Sequence, residues 1–488
     1  MFPLAEGHLE VKKGYTMEQR SSQPNTLRQG ALRTSDAIAQ SIALLALVMG
    51  IALTTSFAAG SAGAAAPLAY VVAALASLCL AYVIIRFTRR LASAGGIYTY
   101  ISQGLGPSAG FIGGWMYAGA FTFGIAYPIT IGSIFASTLL ANIHVSVSWF
   151  VIFCVLVVAL FFFAFFDIRI STRTQLVLAT IGVLAVLVLV AIILTKGGDA
   201  GLSLTPFSPT AVSGGFSGLF FATIFGFTSF IGFEAAAVLG EETANPRKTI
   251  PRAILTAILV GAVFYIVVSY ALSIGYGVNH AGKWAVDQAP LDTLANRYAG
   301  SVLATLIDLM VVLGAFIASL AEVNLIARMF YAMGRDRAIP GVFGLTHPRY
   351  KSPWVGIVFG LLLALVLGAT LGQAMGPFTF FGFLATAGSL GILLAYILVA
   401  VSGMVFFLRF PQGKKAGATI VFDVLFPVIA ILLCGATIYS SLVPVPPAPL
   451  NYAPYIAGAW LVLGIILLSI LWLRSPKQVR QFGKMLGE

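Results

Sequence analysis

Long apolar stretches alternate with short polar ones over most of the chain. A helix needs roughly 20 mainly apolar residues to cross the hydrocarbon of a bilayer. Twelve stretches have about this length, and the spacing predicts an all-α membrane protein with twelve transmembrane helices. They lie at about 37–58, 66–86, 109–138, 147–166, 174–195, 216–239, 253–276, 300–328, 354–372, 378–408, 419–441 and 453–473.

The sixth stretch is interrupted in its middle. Its apolar halves, 216–224 and 230–239, are each too short to cross a bilayer alone. Irregular backbone at membrane depth is tolerated only where it lines a cavity or is buried in protein. We therefore expect a broken helix that offers a solute free carbonyls from its first half and free N–H groups from its second. The joining residues are Phe225, Gly226, Phe227, Thr228 and Ser229.

The first stretch has a similar interruption at Met49-Gly50-Ile51. Taken alone, Gly50 is more often a packing residue, because glycine is common in membrane helices. Its pairing with Gly226, five helices further on, favours a break instead. Two broken helices at this spacing predict two inverted five-helix repeats, with the substrate held where the repeats meet.

Composition excludes most other protein classes. Hydrophobic residues make up 59% of the chain, charged residues 9%, and the mean hydropathy is +0.98, values far from those of soluble domains. The three cysteines lie in apolar runs and predict no disulfide framework. No HExxH or Walker motif occurs, and the G-x-S-x-G match at 106–110 lies between membrane helices rather than in a strand-turn-helix. We expect no enzyme activity, no cofactor and no metal site.

Basic residues are distributed unequally between the two sides of the predicted membrane. Of 28 lysines and arginines, 25 fall in the segments that share a side with both termini, and only Lys196, Lys283 and Arg297 fall on the other. This asymmetry predicts a plasma-membrane protein with both termini in the cytoplasm, and it explains the net charge of +12 without a nucleic-acid partner. The polar N-terminal segment has no apolar core, so we expect no cleavable signal peptide.

The same pattern predicts four parts of the chain. They are a disordered cytoplasmic tail at 1–34, a ten-helix transport core at 35–410, two additional transmembrane helices at 411–473 and a cytoplasmic C-terminal tail at 474–488.

Three motifs resemble those of one transporter family. F-x-x-F-I-G-F-E at 227–234, followed by E-E-x-x-N-P-R-x-x-I-P at 241–251, resembles the sixth helix and following loop of the amino acid–polyamine–organocation (APC) transporters. S-A-G-G-x-Y-x-Y at 93–100 resembles the loop before their third helix, and the segment 328–340 resembles their loop after helix eight. The resemblance covers roughly residues 35–475.

The resemblance implies a LeuT-type fold, with two five-helix inverted repeats and two extra C-terminal helices, and alternating-access transport of an amino acid. The substrate amine would meet carbonyls near the broken ends, and its carboxylate would meet N–H groups of the first break. The family usually has G-S-G there, whereas this chain has M-G-I. Phe225 or Phe227 would supply an aromatic lid. The implied substrate-binding residues are Val48, Met49, Gly50, Ile51, Phe225, Gly226, Phe227, Thr228 and Ser229.

The coupling ion is left open between H+ and Na+. The fifth span lacks the lysine that replaces sodium in several relatives, and family precedent makes Ser319 a possible ion ligand. A hydroxyl in a membrane helix more often bonds to its own helix. Glu322 is a candidate for proton carriage or cation binding, with pairing to an arginine such as Arg86 or Arg173 as the alternative. Asp308, near the outer surface, is expected to be solvated or structural.

Charged loop residues suggest an inner gate. Three arginines face the same compartment as three acids, and ion pairs between them could close the cytoplasmic side. The alternative is a set of separate solvated charges. The residues are Arg86, Arg89, Arg90, Glu241, Glu242 and Asp336.

Two other functions remain open. A polyamine or organic cation carrier would need acids at the pocket, for which Glu322 and Glu234 are the candidates, although Glu234 is expected to be a structural group at the inner end of helix six. A channel or a non-transporting membrane scaffold is the other alternative, but a scaffold does not need two broken helices. The substrate side chain and the oligomeric state are not predicted.

Overall fold

A computed structural model describes most of the chain. The described residues are 37–38, 41–42, 45–91, 95–166, 170, 172–239, 243, 245–335, 337–350, 352–410, 416–480 and 482.

The described chain is built from helices that run back and forth across one bundle. They are α1 Leu47–Ala52, α2 Thr54–Ala62, α3 Ala66–Arg90, α4 Gly96–Leu105, α5 Pro107–Gly124, α6 Ala126–Asn142, α7 Trp149–Phe165, α8 Thr172–Thr195, α9 Gly215–Phe230, α10 Pro246–Tyr276, α11 Ala281–Ala285, α12 Pro290–Tyr298, α13 Ser301–Arg335, α14 Trp354–Leu367, α15 Gln373–Met375, α16 Pro377–Arg409, α17 Ala416–Ser440, α18 Ala453–Arg474 and α19 Pro476–Val479.

Nine helical stretches among the described residues are long and apolar enough to cross a membrane, and two shorter apolar helices, α7 and α9, accompany them. The first of the nine, Leu47–Arg90, contains α1, α2 and α3. The expectation of an all-helical membrane protein is therefore confirmed. The total of twelve spans stays a prediction.

The first predicted span, called here helix 1, is interrupted. The interruption is not at Gly50, where the sequence analysis predicts it. Gly50 lies inside α1, and the chain departs from regular helix at Ala46, with φ of 41°, and at Leu53, with φ of −124°. A Cβ atom on Gly50 would lie 2.9 Å from the Tyr265 hydroxyl oxygen. Gly50 therefore allows a close approach between α1 and α10, and it is not the hinge.

The sixth predicted span, called here helix 6, is also interrupted, and its interruption lies further along the chain than predicted. Helix α9 continues through Gly226 and Ser229 to Phe230, and a short irregular segment then leads to the 3-10 turn Ala235–Leu239. Gly232 has φ of 101°, a conformation that glycine adopts without steric cost. A Cβ atom on Gly226 would lie only 2.8 Å from that of Ala73, so Gly226 serves packing against α3.

Three long pairs of helices form the centre of the bundle. Helix α3 packs against α10, α5 against α16, and α6 against α13. Helix α9 lies across α2 and α3, so the interrupted helices are surrounded by these pairs. Irregular backbone at this depth is thereby covered by protein, as the low-polarity surroundings require.

Helix α18 is attached to this centre by two tryptophans. Only 11% of its most apolar 18-residue stretch is buried. Even so, Trp115 of α5 and Trp460 of α18 stack with their ring centroids 4.5 Å apart. Each indole N–H donates to the other residue's carbonyl oxygen, at 2.8 and 2.9 Å. Gly119 and Gly464 leave space for the two rings, because a Cβ atom at either would overlap the opposite indole.

We expect Gly464→Ala to weaken this attachment. The new Cβ atom would lie 2.3 Å from Cδ1 of Trp115, so the ring must shift and its hydrogen bond must lengthen. Overpacking of this kind costs about 1–3 kcal/mol. Gly458→Ala on the same helix is the matched control, since nothing lies within 4 Å of its Cβ position. Thermal unfolding in detergent should show a lower Tm for the first variant only, and equal values would contradict the packing account.

Candidate functional site

The two interrupted helices meet through a direct hydrogen bond. The Ser229 hydroxyl on α9 donates to the Gly50 carbonyl oxygen on α1 at 2.6 Å. The Thr54 hydroxyl donates to the same oxygen at 2.7 Å and lies 3.0 Å from the Ser229 hydroxyl oxygen. Tyr70 of α3 completes the group, with its hydroxyl 2.7 Å from that of Thr54. The structure thus brings together Gly50 and Ser229, which sequence analysis predicts at one site.

A small cavity of about 10 Å³ lies beside this crossing, between α5, α6, α9, α13 and α16. Its size is close to the minimum for one water molecule, so the chamber is nearly closed in this conformation. Thr228 and Ser389 stand on its wall with their hydroxyl oxygens 2.7 Å apart. The remaining lining residues are Ala120, Phe121, Gly124, Tyr127, Ile231, Glu322, Leu384, Ala385, Gly388 and Ile392.

Glu322 is the acid on the cavity wall. Its side chain is buried, with 2% of the residue exposed, and the Tyr127 hydroxyl donates to Oε1 at 3.3 Å. Oε2 has no hydrogen-bond partner within the described chain. A carboxyl group in such surroundings must carry a proton or bind a cation, because an unpaired charge inside a membrane is costly.

A second buried acid, Glu234, lies in the irregular segment after α9. The Tyr117 and Tyr396 hydroxyls donate to its Oε1 at 3.0 and 2.9 Å, from α5 and α16 respectively. Its Oε2, like that of Glu322, lacks a partner among the described residues. Glu234 is 2% exposed and links the segment after α9 to two other helices, α5 and α16.

An aromatic stack continues from the cavity wall toward the end of the bundle that holds α11 and α12, called here the α12 end. Phe225 stacks on Phe57 of α2 at 5.0 Å, and Phe57 stacks on Phe378 at 4.4 Å. Phe381 joins the stack to Tyr127, with ring centroids 6.0 Å apart. Phe225 therefore packs against α2 through the ring of Phe57, and its role as a lid stays a prediction.

The predicted backbone cradle at Gly50 differs from what the structure contains. The Gly50 N–H donates to the Ala46 carbonyl at 2.7 Å, so it is not free for a carboxylate. Ile51 lies in the same helix. Phe225, Gly226 and Phe227 lie inside α9, where carbonyls bond to the following turn, and the Phe227 carbonyl accepts from the Ile231 N–H at 3.0 Å. The expectation of free backbone at these positions is wrong, because the irregular segments lie before and after them.

Val48 and Met49 border a different cavity, of about 40 Å³, between α1, α8 and α13. Most of its lining is aliphatic. Ser319 is absent from this lining, and its hydroxyl donates to the Ala315 carbonyl of its own helix at 2.7 Å. The Ser319 hydroxyl thus bonds to its own helix, which is the alternative that the sequence analysis gives for this residue.

The three arginines predicted for an inner gate define the opposite end of the bundle, called here the Arg90 end. Arg86 pairs with Asp423 of α17, with Nη2 and Oδ2 2.6 Å apart, and Tyr82 donates to the same carboxylate at 2.8 Å. Arg90 donates to the Phe410 carbonyl at 2.8 Å, and Arg89 is exposed.

The alternative pairing of Arg86 with Glu322 is wrong, because the Arg86 guanidinium is bound to Asp423 and Glu322 accepts from Tyr127 instead. The gate acids Glu241, Glu242 and Asp336 lie outside the described residues.

Several residues of the site were not singled out from the sequence. Three tyrosines donate hydrogen bonds to the buried acids: Tyr117, Tyr127 and Tyr396. Their role can be recognised in the sequence only after a buried acid that needs donors has been identified. Asp423 lies just inside the eleventh predicted span, and its charge has little effect on the average hydropathy of that apolar segment.

The sequence matches the family model for amino acid permeases over residues 33–468. The chain belongs to the amino acid permease family. The resemblance to APC transporters is confirmed by this match, and the relatives are transporters rather than enzymes.

Among its relatives, the permease is 28% identical to the branched-chain amino acid permease BcaP of Bacillus subtilis, over 79% of this chain and 82% of that protein. It is also 28% identical to the low-affinity putrescine importer PlaP of Escherichia coli, over 94% of this chain and 98% of that protein. The Eremococcus coleocola manganese transporter shares its fold, with a TM-score of 0.57, 14% identity and coverage of 92% and 95% of the two chains.

We expect Arg86→Gln to destabilise the permease. Breaking one partner of a largely buried ion pair leaves the Asp423 charge uncompensated and costs about 3–5 kcal/mol; partial exposure of Arg86, whose side chain is 20% accessible, puts the loss at the lower end. The double variant with Arg86→Gln and Asp423→Asn should recover much of the lost stability, because it carries no unpaired charge. Arg89→Gln, on the exposed side of the same helix, is the control. A double variant as unstable as Arg86→Gln would show that the pair has no such role.

Proposed function

We propose that this permease is a secondary transporter that carries amino acids across the plasma membrane by alternating access. The observation that supports this best is the contact between two interrupted helices, at Gly50 and Ser229, beside a cavity with a buried carboxyl group. Interrupted helices that meet at membrane depth are the usual substrate sites of such transporters. The proposal includes two inverted five-helix repeats and twelve spans.

The proposed orientation has the Arg90 end in the cytoplasm and the α12 end outside. It rests on the unequal distribution of lysine and arginine along the chain. In this orientation the stack of Phe57, Phe225 and Phe378 closes the outer path to the cavity. Separation of these rings would then open the cavity to the outside.

Helix-end charges suit both ends of a zwitterionic amino acid. The last carbonyls of α9, which ends at Phe230, carry partial negative charge and suit an ammonium group. The first N–H groups of α2, which starts at Thr54, carry partial positive charge and suit a carboxylate. Thr228 and Ser389 on the cavity wall would add hydroxyl contacts to the substrate. Gly124 and Gly388 carry no side chains, so they leave space at the cavity wall that an aliphatic side chain of the substrate could fill.

We assign proton coupling to Glu322. It borders the cavity, it has one oxygen without a partner in the described structure, and Tyr127 holds the other. The larger cavity beside Val48 and Met49 is lined mostly by aliphatic side chains, whereas a sodium ion needs several oxygen ligands. A carboxyl group that gains a proton with the substrate and releases it on the other side couples the two movements.

A polyamine carrier is the second candidate. Glu234 and Glu322 are both buried and each has an oxygen without a partner in the described region, an arrangement that could receive two ammonium groups. The relative PlaP, a putrescine importer, matches nearly the whole chain. The two functions differ in whether the substrate needs a carboxylate.

Uptake by proteoliposomes tests the proposal. We expect accumulation of at least one labelled amino acid when the outside is made acidic, without sodium. A proton moving down one pH unit releases about 1.4 kcal/mol, enough for roughly tenfold accumulation. Putrescine uptake without uptake of any amino acid would establish the second candidate, and no uptake of either would favour a non-transporting scaffold.

Glu322→Gln should separate coupling from binding. The amide keeps the size of the side chain and the Tyr127 contact but cannot release a proton, so we expect accumulation driven by the pH gradient to be lost while exchange of internal for external substrate persists. Asp199→Asn is the control, because its carboxylate pairs with Arg297 away from the cavity. If Glu322→Gln still accumulated substrate in proportion to the pH gradient, the assignment would be wrong.

A further inference from the structure

Tyr127 of α6 contacts both the acid on the cavity wall and the aromatic stack. Its hydroxyl donates to Oε1 of Glu322 at 3.3 Å. Its ring meets that of Phe381 edge to face, with centroids 6.0 Å apart and planes at 68°. Phe381 in turn contacts Phe57, with ring centroids 5.6 Å apart. One side chain therefore joins the proposed proton site to the rings of the proposed outer closure.

The contact between Tyr127 and the stack is tight. Phe381 is fully buried, and only 8% of Tyr127 is exposed. A Cβ atom on Gly382 would lie 2.2 Å from Cε1 of Phe57, so the ring of Phe57 lies directly on the backbone of α16. Side chains packed at this density do not move independently. A shift of the Tyr127 ring must therefore displace Phe381 and, through it, Phe57.

Space for such a shift exists beside Gly124 on the cavity wall. A Cβ atom at this glycine would lie 3.6 Å from Cε1 of Tyr127 and 3.7 Å from Oε2 of Glu322, which are ordinary contact distances. The wall thus has room for a methyl group next to the hydrogen bond. The Tyr127 ring can use this room without any movement of α5.

The strength of the bond between Tyr127 and Glu322 depends on the proton of the acid. A hydrogen bond to an ionised carboxylate is roughly twice as strong as one to a neutral group. Oε2 of Glu322 has no partner in the described chain, so the Tyr127 hydroxyl is the donor that responds to this change. The ionised acid therefore holds Tyr127 more firmly than the protonated acid does.

No cation competes with Tyr127 for Glu322 in the described helices around it. Helices α5, α6, α9 and α14 contain no lysine, arginine or histidine, and the arginine of α16 is its last residue, Arg409. Arg173 of α8 and Arg328 of α13 are exposed. The charge on Glu322 therefore acts mainly on the tyrosine hydroxyl.

Other titratable groups near these helices are occupied or distant. Tyr117 of α5 donates to Glu234, at 3.0 Å, and not to Glu322. The other acid of α13, Asp308, lies roughly 21 Å from Glu322 along the helix axis. Asp308 is fully buried, so it is not the solvated group that the sequence analysis allows.

We propose that Tyr127 is a positioning residue that makes closure of the aromatic stack depend on the proton at Glu322. The ionised acid holds the Tyr127 hydroxyl, and the ring keeps Phe381 and Phe57 packed. Protonation weakens this bond, and the rings separate more easily. The inference rests on the proposed transport function and specifies how its outer closure is controlled.

This linkage bears on coupling, because it sets which forms of the permease can close. The empty permease with ionised Glu322 can close and return to the other side. A permease that has gained a proton but no substrate stays open, so the proton does not cross alone. The loaded permease closes through contacts that the substrate supplies, and these do not need the Tyr127 hydroxyl.

Distance measurement between two spin labels tests the linkage in the whole protein without substrate. The labels are attached at Gly60→Cys on α2 and Ala374→Cys on α15, both exposed at the α12 end. Cys154→Ala removes the native cysteine that is not buried. In lipid nanodiscs, the ratio of open to closed distances should rise about fivefold to tenfold from pH 9 to pH 5, since the bond to the charged acid is lost.

Tyr127→Phe should abolish this pH dependence. The variant keeps the ring and its contact with Phe381 but has no hydroxyl, so the open fraction should stay at the low-pH level of the unaltered protein. Tyr270→Phe is the matched control, because the Tyr270 hydroxyl donates to the Ser203 carbonyl, at 3.0 Å, and not to an acid. This control should keep the pH dependence.

Transport rates separate a positioning role from a merely structural one. Net uptake requires the empty permease to close, whereas exchange of internal for external substrate does not. Tyr127→Phe should therefore slow net uptake by about fivefold to tenfold while exchange keeps its rate. Equal slowing of both rates would mean that the tyrosine only supports the fold, and the inference would be wrong.

Two further results would overturn the linkage. One is an open fraction that does not change with pH in the unaltered protein. The other is a Tyr127→Phe variant with the original pH dependence, since the response would then arise from other groups. The distance ratio needs no substrate. If proteoliposomes took up no substrate at all, the proposed function would fail, and the distance ratio would still decide whether Tyr127 responds to Glu322.

Discussion

A bilayer interior offers no water to backbone groups, so each group released by an interrupted helix needs a partner from another helix. The described structure supplies such partners with side chains. Tyr265 donates to the Leu45 carbonyl at 3.1 Å, Ser229 donates to the Gly50 carbonyl at 2.6 Å, and the Ser41 hydroxyl accepts from the Ala236 N–H at 3.2 Å. These bonds tie the irregular segments of helices 1 and 6 to each other and to α10. A movement of either helix must exchange them for others.

The same constraint governs the buried acids, which are stabilised in two ways. Asp423 lies near the Arg90 end and is paired with Arg86, an arrangement that holds α17 against α3. Glu234 and Glu322 are hydrogen-bonded to tyrosines instead. A tyrosine hydroxyl donates without adding a charge, so it can orient a carboxyl group while leaving it free to gain or lose a proton.

Glycines show how far local sequence patterns reach. Gly50 and Gly226 both lie in apolar spans at positions where a break is plausible, yet both are helical and allow close packing, against Tyr265 and Ala73. Within the sixth span, the glycine that adopts a positive φ is Gly232, three residues after Ser229. A glycine can serve packing or a turn equally well. Only the position of the neighbouring helix decides between the two.

By itself the sequence determined that the chain is a helical membrane protein of the permease type and that its first and sixth spans are interrupted. Hydropathy and composition carry this information, because the solvent acts on each segment separately. The tertiary structure decided the partners: Asp423 for Arg86, Tyr127 for Glu322 and Phe57 for Phe225. These pairs join residues far apart in the chain, and their contacts arise only when the helices pack.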